Sequence, residues 1–307
     1  HQKFIAGMLL TDFIREGISS LSVLYPENEA RNIVLILCGS IIGTKSYTHI
    51  VEPRTEVPEA AMGRLRDALA RLSGGEPLQY VTGKAEFYGR SFNVSPAVLI
   101  PRPETELLCR EAVAHAARLM RMRLPFGKNA EPVRVLDLCT GSGCIAWTLA
   151  LSAPGCIVTG VDISEEALRM AAGQDFTPEL KTGSARRPVF VKADILNDSP
   201  ELGKFDIVLS NPPYIMESEK KDMRVNVLDH EPGIALFVPD DDPLVFYRAV
   251  ACWSRRCLLP GGMGMAEINE RLGRETSELF REAGFSDVSV VKDLNDRNRF
   301  VIYRLAS

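Results

Sequence analysis

Apolar side chains recur three and four positions apart through the first quarter of the chain. Phe4, Ile5, Met8, Leu9 and Phe13 are followed by a run at 33–37, then by Ala61, Leu65, Ala68, Leu69 and Leu72. That period predicts amphipathic helices packed into a small all-helical module over residues 1–75. Pro26 and Pro58 suit first-turn positions, where proline's missing N–H is not needed, and Gly74-Gly75 supplies a stop. The character then changes. Residues 86–94 alternate about Gly89 and predict a short hairpin, read as part of a linker over 76–102. Helical spacing resumes over 103–122 through Leu107, Leu108, Ala112, Val113, Leu119 and Met120. Glu104 and Glu106 fall in its first turn, where negative charge suits the helix dipole.

Beyond Pro132 short apolar runs alternate with helical ones. Strands are expected at 133–138, 157–161, 189–191, 205–209, 264–268, 288–291 and 300–305, and helices at 144–151, 164–172, 244–257 and 271–283. Strands separated by helices predict an α/β domain over 103–307, with a mostly parallel sheet covered on both faces. The last two strands have no helix between them, which predicts one antiparallel strand at that end.

The chain has 307 residues, net charge −4 and 46% hydrophobic residues, an ordinary globular composition. The longest apolar run, 33–42, is half the ~20 residues that span a bilayer. Seven cysteines without a Cys-x-x-Cys pair and four scattered histidines predict no metal site and a reducing, cytoplasmic setting. The first residue is His1 and not methionine, so the chain is expected to lack its original start.

Candidate chemistry gathers at the strand ends. The strand ending Asp137-Leu138 runs into Cys139-Thr140-Gly141-Ser142-Gly143 and then into a helix, a turn in which glycines let backbone N–H groups approach a ligand. Ala146 formally completes a dinucleotide fingerprint, and the lysine of a phosphate loop is absent. Asp162, 19 residues after Gly143, ends the second strand where a carboxylate accepts ribose hydroxyls. Ser164 is the better helix cap there, which leaves Asp162 for a ligand. Asp194 is placed to accept from an adenine amino group while Ile195 packs on the ring; a turn role serves Asp194 equally well. Ser210-Asn211-Pro212-Pro213-Tyr214 follows the fourth strand. Two prolines remove donors and fix φ, so the turn offers acceptors to a planar NH₂ group: the Asn211 side-chain oxygen and the Pro212 carbonyl, with Tyr214 against the flat face.

Together with the segments 75–83 (Gly-Glu-Pro-Leu-Gln-Tyr-Val-Thr-Gly) and 99–107 (Leu-Ile-Pro-Arg-Pro-Glu-Thr-Glu-Leu), these motifs make the chain resemble the release-factor glutamine methyltransferases, the HemK-like family. The Asn-Pro-Pro-Tyr tetrad is shared with adenine and guanine amino methyltransferases; the Pro-Arg-Pro-Glu-Thr-Glu run points to this family. The resemblance implies a Rossmann-like, seven-stranded methyltransferase domain behind a helical substrate-recognition domain and a β-hairpin linker. It implies S-adenosylmethionine as donor, S-adenosylhomocysteine as product, no metal, and the glutamine of a release factor's Gly-Gly-Gln loop as acceptor. Asp137, Cys139, Thr140, Gly141, Ser142, Gly143, Asp162, Asp194, Ile195 and Asn211 would then hold the donor. Asn211, Pro212, Pro213 and Tyr214 would hold the substrate, with Asn211, Pro212 and Tyr214 catalytic. Three positions depart from the pattern: Cys139 replaces a usual glycine, Asp241-Asp242-Pro243 a usual Asp-Gly-Leu, and Arg271 a common glutamine after Glu267.

The nearest alternative is an amino methyltransferase acting on adenine or guanine in nucleic acid. The acidic balance disfavours a direct nucleic-acid substrate, and basic runs at 118–128 and 181–192 suit solvated surface. A nicotinamide-dependent dehydrogenase or a non-catalytic nucleotide-binding scaffold leaves the Asn-Pro-Pro-Tyr turn without a purpose.

Overall fold

The computed structural model describes residues 7–307; His1, Phe4 and Ile5, which entered the reading above, lie outside the described residues. The helices, in chain order, are α1 (Leu10–Leu21), α2 (Glu27–Ile42), α3 (Thr48–Val51), α4 (Glu59–Ser73), α5 (Leu78–Thr82) and α6 (Thr105–Arg123). They continue as α7 (Cys144–Ser152), α8 (Glu165–Ala172), α9 (Thr177–Thr182), α10 (Val225–His230), α11 (Val245–Cys257) and α12 (Gly273–Glu282). The strands are β1 (Lys84–Phe87), β2 (Arg90–Asn93), β3 (Arg134–Leu138), β4 (Ile157–Asp162), β5 (Val189–Lys192) and β6 (Phe205–Ser210). After them come β7 (Ile215–Met216), β8 (Phe237–Val238), β9 (Leu258–Glu267), β10 (Ser286–Lys292) and β11 (Asn298–Arg304). No helix among the described residues is long and apolar enough to cross a membrane.

Two compact units emerge. The first comprises residues up to Lys84 together with Arg224–His230. Its core joins Phe13, Leu21, Val34, Leu37, Leu65 and Leu72 from α1, α2 and α4. Pro26 and Pro58 stand at the N-caps of α2 and α4, one position before the first turn, and Gly74 caps α4 at its end. Helix α10, remote in sequence, joins this unit through a hydrogen bond from Asn226 Nδ2 to Tyr25 Oη (3.4 Å) and an Arg224–Glu29 ion pair (3.1 Å).

The second unit, Ala85–Met223 and Glu231–Ser307, holds a seven-stranded sheet in the order β10-β11-β9-β6-β3-β4-β5. Adjacent residues of each central strand face opposite sides, as period-2 geometry requires. Val135, Ile207 and Leu209 pack with α6 and α7, and Leu136, Leu138 and Val208 pack with α11 and α12. The hairpin β1–β2 sends Phe87 and Phe92 into the first of these cores. Tyr88 and Gly89 both have positive φ at its turn, the conformation that matches strand twist in a two-residue loop. The antiparallel strand is β11, as the missing helix implies, but it lies between β9 and β10. The β10–β11 connection is too short for a crossover, so the chain reverses and β11 fills the place beside β9.

Candidate active site

Parallel register sets the site. Leu138 pairs with Val161 of β4 and with Ser210 of β6, so the next residues, Cys139, Asp162 and Asn211, stand level at three adjacent strand ends. β3 connects onward to β4 on one side while β6 takes its other side, making this the switch point where open α/β sheets bind ligands. A cavity of about 280 Å³ opens there. Of the residues expected at the donor site, Cys139, Thr140, Gly141, Ser142, Asp162, Asp194, Ile195 and Asn211 line it, as does Pro213.

Asp162 is held twice: Oδ2 accepts from Gly141 N and Oδ1 from Ser164 N, each at 2.9 Å. Ser164 is indeed the cap of α8, its Oγ accepting from Ala167 N at 3.2 Å. Burial pushes the Asp162 carboxyl up from its ordinary value, against the pull of its backbone N–H partners. Asp194 closes a turn as well as lining the cavity, with Oδ1 accepting from Leu196 N and Oδ2 from Asn197 Nδ2. The Asn211 side chain makes no hydrogen bond to any described residue, so its amide is free for a ligand.

Asp137, Gly143, Pro212 and Tyr214 do not line the cavity. Asp137 is wholly buried behind the turn, where Oδ2 accepts from Thr140 Oγ1 at 2.6 Å and Oδ1 has no hydrogen-bond partner among the described residues. Burial pushes its carboxyl up to about 7, and the Thr140 hydroxyl opposes this. Gly143 is buried at the N-cap of α7 with φ of 80°, where a Cβ would meet Ala171 at 3.0 Å; its part is to close the turn. Pro212 is buried in the strand-end turn. Tyr214, half-buried, points its hydroxyl at Glu267 Oε1 (2.8 Å).

The Cys139 departure has a backbone consequence, because its φ is +61°, a region that glycine enters freely and cysteine does not. Burial holds its thiol well above the ordinary value and pushes that of Cys144 up to about 12, so both stay protonated near neutral pH.

Other wall residues carried no assigned role. Leu99, Pro101, Arg102 and Thr105 come from the segment 99–107, on which the family resemblance rests. Arg102 bonds Glu231 Oε1 while Ile100 N donates to Glu231 Oε2 at 3.1 Å, fixing this wall. Ile163 and Phe246 add apolar surface that no local pattern announces.

The donor set suits an adenosine-bearing sulfonium: Asp162 for ribose hydroxyls, and Ile163, Ile195 and Phe246 for a purine face beside Asp194.

The methyltransferase small domain family matches residues 104–230, and the PrmC N-terminal domain family matches residues 12–83. A release factor glutamine methyltransferase of Bacteroides thetaiotaomicron is 37% identical over 292 residues, 95% of this chain and 98% of that protein. Another, of Koribacter versatilis, is 38% identical over 271 residues, 88% of this chain and 89% of that protein. The solved hMettl16 catalytic domain in complex with MAT2A 3'UTR hairpin 6 is 15% identical with a TM-score of 0.53, covering 78% of this chain and 83% of that one, a likeness of fold alone. With such identity to its relatives along almost its whole length, the chain belongs to the release factor glutamine methyltransferase family.

Proposed function

We propose that this protein transfers the methyl group of S-adenosylmethionine to the side-chain amide nitrogen of a release factor glutamine, the one in the Gly-Gly-Gln loop. The observation that carries the chemistry is the unpartnered Asn211 amide, level with Asp162 and next to two prolines at the mouth of an acid-lined cavity. Family membership supports the choice of substrate.

An amide nitrogen is a poor nucleophile because its lone pair is delocalised, with a resonance on the order of the 18–20 kcal/mol rotation barrier. The sulfonium, when bound, supplies an electrophilic methyl. The chain's own residues must therefore present the nitrogen correctly. Asn211 Oδ1 and the Pro212 carbonyl each accept one N–H of the substrate amide, which turns the nitrogen's lone pair toward the cavity and stabilises positive charge growing on it; as the N–C bond forms the sulfur leaves as a neutral thioether, and one N–H proton then passes to water. Asp162, fixed by the Gly141 and Ser164 amides, accepts the donor's ribose hydroxyls, and Asp194 with Ile195 receives the adenine. Pro213 stiffens the turn. The helical unit grips the release factor, and the setting is the cytoplasm, where translation ends.

Incubation of the purified protein with labelled donor and either a release factor or an adenine-bearing oligonucleotide tests this. Label is expected in the release factor only; label confined to the oligonucleotide overturns the reading in favour of a nucleic-acid amino methyltransferase.

A further inference from the structure

Glu267 ends β9 one residue past Ala266, which pairs with Ser210, so the backbone places Glu267 level with Asn211 on the side away from Cys139. Its side chain is buried, and no lysine, arginine or histidine lies within ion-pair distance of it among the described residues. The Arg299 guanidinium, whose charge reaches it, is paired instead with Asp293 at 2.6 Å. Two hydroxyls satisfy the carboxylate: Tyr214 Oη donates to Oε1 at 2.8 Å and Thr105 Oγ1 donates to Oε2 at 2.6 Å. A buried carboxylate without a cation is costly, and apolar neighbours on the same strand, Met263, Met265 and Ala266, show what ordinary packing requires there.

The two hydroxyls come from the two segments that distinguish this sequence. Thr105 belongs to the Pro-Arg-Pro-Glu-Thr segment at the start of α6, and Tyr214 closes the Asn-Pro-Pro-Tyr turn. Asn269, two residues beyond Glu267, grips the same tyrosine from its other end: Nδ2 donates to the Tyr214 carbonyl at 3.0 Å and to Glu219 Oε2 at 2.8 Å. Tyr247 ties Glu267 and Asn269 together, its hydroxyl donating to the Glu267 carbonyl at 2.9 Å and accepting from Asn269 N at 3.2 Å. Tyr214 is thus held at its hydroxyl and at its carbonyl. β6 holds the other end of a turn that two prolines keep stiff.

We propose that Glu267 is a positioning residue for methyl transfer, its carboxylate clamping Tyr214 and Thr105 together so that Asn211 and the Pro212 carbonyl are presented at a fixed place. This rests on the function proposed above and deepens it: Tyr214 acts as a post for the acceptor pair. The donor's acidic contacts come from the ends of β4 and β5, which the clamp does not touch. Thr105 also lines the cavity, but it is carried by α6, so loosening the clamp lowers turnover far more than donor affinity. A displacement near 1 Å in such a site costs roughly 10²-fold in rate.

The test compares wild type, Glu267→Gln, Tyr214→Phe and the double variant, measuring kcat and KM on intact release factor and S-adenosylhomocysteine affinity by calorimetry. Glu267→Gln keeps the shape but replaces one of the two carboxylate acceptors with an NH₂ group; Tyr214→Phe removes the tyrosine hydroxyl alone. Each is expected to lower kcat by about 10- to 100-fold with donor-product affinity within about twofold of wild type. The double variant should lose less than the product of the two single losses, because both weaken one network centred on Glu267. Wild-type kcat in either folded single variant, losses that multiply in the double, or donor affinity falling in step with kcat overturns the proposal. If Glu267→Gln does not fold, Tyr214→Phe decides alone by the same two readouts. A wild-type protein that leaves the release factor unmethylated is a different result, and it rejects the functional reading on which the clamp depends.

Discussion

Replacing Asp162 by alanine probes two roles of one side chain. In the folded protein its carboxylate accepts from Gly141 N and Ser164 N at 2.9 Å each, so the substitution strips acceptors from the glycine turn and from the start of α8. Hydrogen bonds to a charged group contribute about 1.5–3 kcal/mol apiece, giving about 3–6 kcal/mol for the pair. Both donors belong to cavity-lining residues, where water can replace part of what is lost, and the carboxylate's own burial cost disappears. A stability loss of about 2–4 kcal/mol is therefore expected. Urea unfolding followed by tryptophan fluorescence measures it cleanly, because the protein's two tryptophans, Trp147 and Trp253, are buried in the same unit as Asp162. The ligand role is separate: loss of the ribose contact should weaken S-adenosylhomocysteine binding by about 10- to 100-fold, measured calorimetrically below the unfolding transition. A shifted urea midpoint with unaltered affinity would mean that Asp162 only holds the turn. If neither moves, the hydrogen-bond argument is wrong as well.

Two further outcomes follow from the same turn. Asp137, raised from 3.8 to about 7 by burial, binds its proton more tightly in the folded state, so its burial costs nothing below pH 3.8 and lowers stability progressively up to about pH 7. Asp137→Asn should accordingly gain stability over wild type as pH rises across that window, and urea midpoints that run parallel from pH 4 to 7 would refute the assignment. Cys139→Val should lose about 2 kcal/mol or more, because a β-branched residue at φ +61° is strained, whereas Cys139→Gly should lose none; equal midpoints for the two would show that the left-handed backbone is not a constraint.

The sequence-based strands and helices of the α/β unit lie within a few residues of the observed ones because long apolar runs and helical spacing carry that information locally. The exception is β9, which begins at Leu258, six residues before its expected start, through Pro260 and two glycines that hide its pattern. Helices α9 and α10 and the two-residue strands β7 and β8 had no periodicity to reveal them. Joining α10 to the N-terminal helices depends on contacts such as Asn226 with Tyr25, some 200 positions apart, which no local rule anticipates. The cavity at the strand ends was legible where glycines and carboxylates end strands. It was illegible at Ile163 and Phe246, whose roles depend on which way a loop turns back over the sheet. Tyr214 shows the limit most clearly. Its residue type suggests a stacking surface, and nothing local announces that its hydroxyl meets Glu267, 53 residues later.

The central claim concerns one atom, the side-chain amide nitrogen of a release factor glutamine, and tandem mass spectrometry of that factor after reaction locates the methyl group directly. Wild-type protein with S-adenosylmethionine should place it on the Gly-Gly-Gln glutamine side chain. Asn211→Ala, with its donor binding largely kept, should do so about 10²–10³-fold more slowly, the loss expected for one preorganised hydrogen-bonding group worth ~3–4 kcal/mol in the transition state. A methyl group found on another residue, or wild-type turnover by Asn211→Ala, contradicts the account.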